Sequence, residues 1–185
     1  MTTATQPKSE IKRQTEFLEV IKRNVEKDNG TKATLKRALT GETRHLRAVY
    51  PLVLPYLGGI EYNQDEWIFV ACLFGYYPQS LEDNRRNFGD SARGLASATQ
   101  SGGADRRFRA LLDTSLEDLR SPLGAIVRLM KSKGVAINYP KLIADLCPWE
   151  HPDQYVQDRW ARAFWGAFSK PSEDVEEGSD DVTDS

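Results

Sequence analysis

Residues 114–134 read TSLEDLRSPLGAIVRLMKSKG, and their apolar spacing decides the fold class. Leu116, Leu119, Leu123, Ile126, Val127 and Met130 recur at steps of three and four, which places them on one face of an α-helix. Ser115 with Asp118 three residues on has the pattern of a capping box. Pro122 interrupts the run without shifting its phase, so it kinks the rod or opens its second half with Ser121 as cap. Gly134 stops it.

The same period extends in both directions. Downstream, NYPKLIADL (138–146) predicts a short helix with Pro140 in its first turn. Val156, Trp160, Ala163, Phe164, Ala167 and Phe168 give residues 152–168 one broad apolar face. Upstream, residues 78–105 are loop-rich and hold one short helix near 91–98, followed by a helix over DRRFRALL (105–112). Trp67, Val70, Ala71 and Phe74 form a stripe behind an Asn63/Glu66 capping-box pattern, which ends before Pro78. Pro51 and Pro55 break 43–57 into short pieces. A helix over 31–39 restarts the chain after Asp28-Asn29-Gly30, and Ile11, Leu18, Ile21 and Val25 stripe the first helix, with Ser9 as cap. No stretch alternates as a strand would. The expected fold is all-α, a compact helical bundle in two small subdomains, 1–100 and 101–170, followed by a disordered acidic tail, 171–185.

Charge is divided unevenly. Of 27 acids, seven lie in the last fifteen residues (Glu173, Asp174, Glu176, Glu177, Asp180, Asp181 and Asp184), where there is no base. The remaining 20 face 25 lysines and arginines, so residues 1–170 carry a surplus of five positive charges although the whole chain is at −2. That surplus suits a polyanionic partner.

Catalytic chemistry finds little to work with. His45 and His151 are the only histidines, and no serine or cysteine stands in a nucleophile motif. Glu150, His151 and Asp153 could in principle ligate a metal, but acids at a helix start have capping and dipole reasons to be there. No cofactor motif, apolar span of membrane length or secretory leader is visible, and Cys72 and Cys147 read as buried free thiols of a reducing cytoplasm.

Cationic side chains edge several of the expected helices. Lys32 and Lys36 are one turn apart, with Arg37 beside them. Arg106 lies opposite the Phe108/Leu111/Leu112 face, and Arg107 and Arg109 flank its borders. Arg93 sits in a Gly/Ser-rich piece, and Arg128 with Lys131, then Arg159 with Arg162, repeat an i, i+3 spacing away from their apolar faces. Each edge alone is an ordinary solvated face, held by weak surface ion pairs. Several together suit a phosphate backbone gripped without base reading.

Read in order, KDNGTKATLKRAL (27–39), NFGDSARGLA (87–96), ADRRFRALLDTSLEDLRSPLGAIVRLMKSKG (104–134), INYPKLIADLCPWE (137–150) and VQDRWARAFW (156–165) resemble the CasB-type small subunit of type I-E CRISPR Cascade complexes. The resemblance implies a non-enzymatic helical protein of two subdomains, present in two copies beside the backbone and large subunits of a crRNA-guided antiviral complex. It implies contact with the target strand of the crRNA–DNA heteroduplex and with the displaced strand of the R-loop. By matching position it assigns nucleic-acid contact to Lys32, Lys36, Arg37, Arg93, Arg106, Arg107, Arg109, Arg128 and Arg159. Two other classes fit the residues less well: a free-standing DNA-binding regulator, which would need a base-reading helix, and a protein–protein adaptor whose arginine faces take acidic partners.

Overall fold

The structure, a computed structural model, describes residues 8–82, 85–100 and 102–166. Among them are nine α-helices and no strand: α1 (Lys8–Lys27), α2 (Asn29–Ala38), α3 (Thr43–Val53), α4 (Gln64–Tyr76), α5 (Phe88–Thr99), α6 (Gly102–Leu112), α7 (Arg120–Lys133), α8 (Tyr139–Leu146) and α9 (Tyr155–Trp165). The fold is all-α, as the periodicity requires. Ala167, Phe168 and the acidic tail lie outside the described residues.

The helices do not pack in chain order. α1, α2, α3 and α4 form one group, and α8 returns from late in the chain to lie against α1 and α4. α5 packs on α6, α7 and α9. One continuous apolar cluster runs through both groups. At its centre is α4, where every side chain from Trp67 to Phe74 is buried instead of a single stripe, since helices approach it from several sides. Cys72 lies in that wall as a free thiol, its pKa pushed up to about 12 by burial.

Residues 114–134 do not form one kinked rod. The Ser115 hydroxyl and Asp118 exchange hydrogen bonds at 3.1 and 3.3 Å, but the helix proper starts at Arg120, with Leu119 and not Ser121 at its cap. The α8–α9 connection packs onto this stretch: Trp149 Nε1 donates to the Thr114 carbonyl at 2.9 Å, and Glu150 accepts from the Leu116 amide. Pro122 then falls in the first turn of α7, where its missing N–H costs nothing. Gly134 ends the helix with a left-handed φ of 67°.

The Asn63/Glu66 box does not form. Asn63 has a left-handed φ of 61°, so its carbonyl, not its side chain, accepts from the Glu66 and Trp67 amides. A side-chain cap needs extended backbone at that position. The reciprocal box occurs instead at α5, where Asn87 and Asp90 cap one another at 3.0 and 3.2 Å.

Asp28 supplies the break between α1 and α2. Its carboxylate accepts from the Gly30 amide at 2.9 Å, and from the Thr31 amide and hydroxyl at 2.8 Å each. These bonds, the Gly30 amide first, hold its pKa below the ordinary carboxylate value. A depressed folded pKa contributes stability above the unfolded pKa, about 3.9 for aspartate, and that contribution fades as pH falls through the folded value. In Asp28→Ala the first turn of α2 frays at neutral pH, and the wild-type turn frays only on acidification below about pH 4. Amide NMR of Gly30 and Thr31 reads both effects.

Candidate nucleic-acid interface

The first cationic rim depends on how closely α2 meets α4. Leu35 of α2 lies directly over Gly75, where an added Cβ would come within 2.7 Å of the Leu35 Cβ. That approach carries the next residue of α2, Lys36, to the next residue of α4, Tyr76, with Nζ at 6.0 Å from the ring centroid. From α7, Lys131 reaches the same ring at 4.1 Å and donates to the Tyr76 carbonyl at 2.9 Å. Two lysines 95 positions apart in sequence therefore share one aromatic ring, a cation–π arrangement, and both are exposed.

Around this junction the rim widens. Lys32 and Arg37 are exposed on α2, and Arg128 is exposed one turn before Lys131 on α7. A cleft of about 170 Å³ lies between them, lined by Ala38–Gly41, Phe69, Arg120 and Arg128 among others. Arg120 pairs with Asp65 at 3.5 Å across an exposed gap, and its guanidinium lies 5.8 Å from the Phe69 ring.

A second rim follows α6. Phe108 and Leu111 bury the inner face, which leaves Arg106, Arg107 and Arg109 exposed. Arg109 pairs with Asp105 at 3.4 Å while still 66% exposed, and its guanidinium lies over the Trp165 ring at 4.9 Å. An exposed pair of this kind holds weakly, so phosphate can exchange for the carboxylate.

Two of the expected contact residues are engaged inward. Arg93 is half-buried and pairs with Asp90 at 3.2 Å. Arg159 donates to Asp145 at 3.2 Å, with its guanidinium 5.2 Å from the Tyr155 ring. Asp145 itself is 1% exposed and also accepts from Lys141 Nζ at 2.7 Å and Trp160 Nε1 at 2.8 Å. Asp145 and Trp149 of the 137–150 block thus meet Trp160 of the 156–165 block at a buried polar hub, with the Trp149 and Trp160 rings 4.9 Å apart. Lys131 and Arg120 also stand on the first rim, and the i, i+3 spacing of Arg128 and Lys131 is the sequence signal for the first of them.

Fold and rims together define an all-helical protein that displays lysine and arginine along its helix edges. The family model for CRISPR-associated protein Cse2 matches residues 31–165, and the chain belongs to that family. It is 29% identical over 151 residues to the CRISPR-associated protein Cse2 of Thermus thermophilus, covering 79% of this chain and 85% of that one. The crystal structure of M. ruber CasB superposes with a TM-score of 0.71 at 27% identity, over 83% of this chain and 92% of its own. A chain of a CRISPR RNA-guided surveillance complex shares the fold, with a TM-score of 0.70 at 19% identity over 85% and 93%.

Proposed function

We propose that this chain is a non-catalytic structural subunit of a crRNA-guided type I-E Cascade complex. In this reading two copies stand beside the backbone and large subunits in the cytoplasm. Their basic rims hold the backbone of the target strand and of the displaced strand. Family membership supports the assembly. One observation carries the nucleic-acid role: Lys36 and Lys131 meet on Tyr76, which joins the cationic edges of α2 and α7 into one rim. Guide pairing supplies sequence specificity in such complexes, so contacts to backbone alone suffice, and R-loop opening is balanced closely enough for modest contacts to tip it.

Exposed Lys32, Lys36, Arg37, Arg106, Arg107, Arg109 and Arg128 make the contacts. Arg93 and Arg159, each already paired to a carboxylate, act at the margins of the rims. In the assembled complex, Lys36→Glu/Lys131→Glu lowers target-DNA retention at least about tenfold at physiological salt, while the subunit remains incorporated and guide RNA content is unchanged. Filter binding of target DNA together with RNA sequencing of the purified complex reads both. Undiminished retention in a correctly assembled complex would refute the assignment.

A further inference from the structure

We infer that the acidic C-terminal segment, residues 173–184, docks on the arginine face of α6 and competes there with polyphosphate. Docking stands apart from the proposed function; the competition rests on it.

The geometry begins where the described chain ends. Trp165, in the last turn of α9, donates from Nε1 to Asp105 Oδ1 on α6 at 2.8 Å. Its ring packs 5.7 Å from Phe108 and lies beneath the Arg109 guanidinium at 4.9 Å. This indole is only half covered, at 41% exposure. Gly166 then leaves the helix with extended backbone, at φ −54° and ψ 136°. The described residues therefore end against α6, where Trp165 is fixed by a hydrogen bond and a ring contact.

Reach and charge complete the case. Seven steps separate Gly166 from Glu173, a span of up to about 25 Å. The eleven residues of α6 rise only about 16 Å, so the first acids can reach any point along it. Residues 171–185 hold seven carboxylates and no base, and α6 presents Arg106, Arg107 and Arg109 to solvent. Within residues 102–113 the carboxylates are Asp105, engaged by Trp165 and Arg109, and exposed Asp113. Three guanidinium groups thus share two carboxylates of their own segment. A tethered chain meets such a face at millimolar effective concentration, and individually weak pairs then add up to measurable occupancy.

The test uses the full chain, a form with all seven tail acids changed to amides, and both again with Arg106→Glu, Arg107→Glu and Arg109→Glu. Single-stranded DNA binding is measured at about 50 mM salt. The amide tail tightens binding about tenfold when α6 is intact, and by less than about twofold when α6 is reversed. No gain on the intact chain, or an equal gain in both backgrounds, would overturn the inference. A second readout needs no nucleic acid. A spin label at Gly178→Cys, with Cys147→Ser, broadens the amides of residues 105–110, and the amide tail abolishes the broadening. Broadening without any DNA binding would leave docking standing and sink the proposed function. Absent broadening, with DNA binding still weakened by arginine reversal, would do the opposite.

Discussion

Asp145→Ala lowers the free energy of unfolding by about 3–5 kcal/mol, the scale set by removing one partner from a buried ion pair. Its carboxylate accepts from Lys141, Arg159 and Trp160, and is 1% exposed. Alanine leaves the buried Trp160 Nε1–H without this acceptor and removes the carboxylate that Lys141 and Arg159 share. Lys141 is itself only 15% exposed and has little room to turn outward. Arg159, at 34%, lies nearer the surface, so Arg159→Ala costs about 1 kcal/mol, closer to a surface pair. The two substitutions share a partner, so the double variant loses less than the sum. Urea denaturation of the four proteins reads the cycle; a loss below about 1 kcal/mol for Asp145→Ala would show that the hub is not structural. A weakened nucleic-acid affinity in Arg159→Ala should accordingly be read against its stability before it is counted as a lost contact.

The second large effect concerns the seat between α5 and α9. At Gly89 an added Cβ would lie 2.1 Å from the Trp160 carbonyl oxygen, and that oxygen belongs to backbone and cannot rotate away. Gly89→Ala therefore forces the helices apart, at a cost of about 1–3 kcal/mol or more from overpacking. Gly94, on the same helix, offers a control. There the Cβ would meet only the Val135 Cγ1 at 3.6 Å, an ordinary contact. Gly94→Ala should stabilise by about 0.5–1 kcal/mol, because alanine is the better helix former. Identical chemistry on one helix with opposite signs is the expected result in thermal melts. Two losses of equal size would mean that α5 and α9 do not approach as closely as described.

Helix positions were legible wherever local pattern controls them. Pro122 lies in the first turn of α7, Gly134 closes that helix, and Pro140 lies in the first turn of α8, because each of these depends on backbone chemistry within a few residues. Tertiary contacts decided the rest. The Asn63/Glu66 pattern carries no sign that Asn63 adopts a left-handed φ. Nothing local in 138–146 shows that α8 returns to α1 and α4, where the Tyr139 hydroxyl donates to the Tyr77 carbonyl at 2.9 Å. Exposed cations on α2 and α6 followed from helical phase, since the apolar face fixes the opposite one. Their meeting partners did not: Lys36 and Lys131 come together only because Leu35 nests over Gly75 and brings α2 down onto α4. Arg159 had the spacing of a surface residue, and its inward turn is set by Asp145, fourteen positions earlier.

The dependence of DNA affinity on salt tests the central claim most directly, because its slope counts phosphates displaced by cations, at about 0.7 per phosphate for a single strand. The rims of α2/α7 and α6 are to be neutralised separately, as Lys36→Gln/Lys131→Gln and Arg106→Gln/Arg109→Gln, and then together. If both rims hold one strand, each pair of substitutions lowers the slope by about 1–1.5, the combined variant loses the sum, and the fold melts as before. A slope unchanged by either pair would contradict the account, since these side chains would then touch no phosphate.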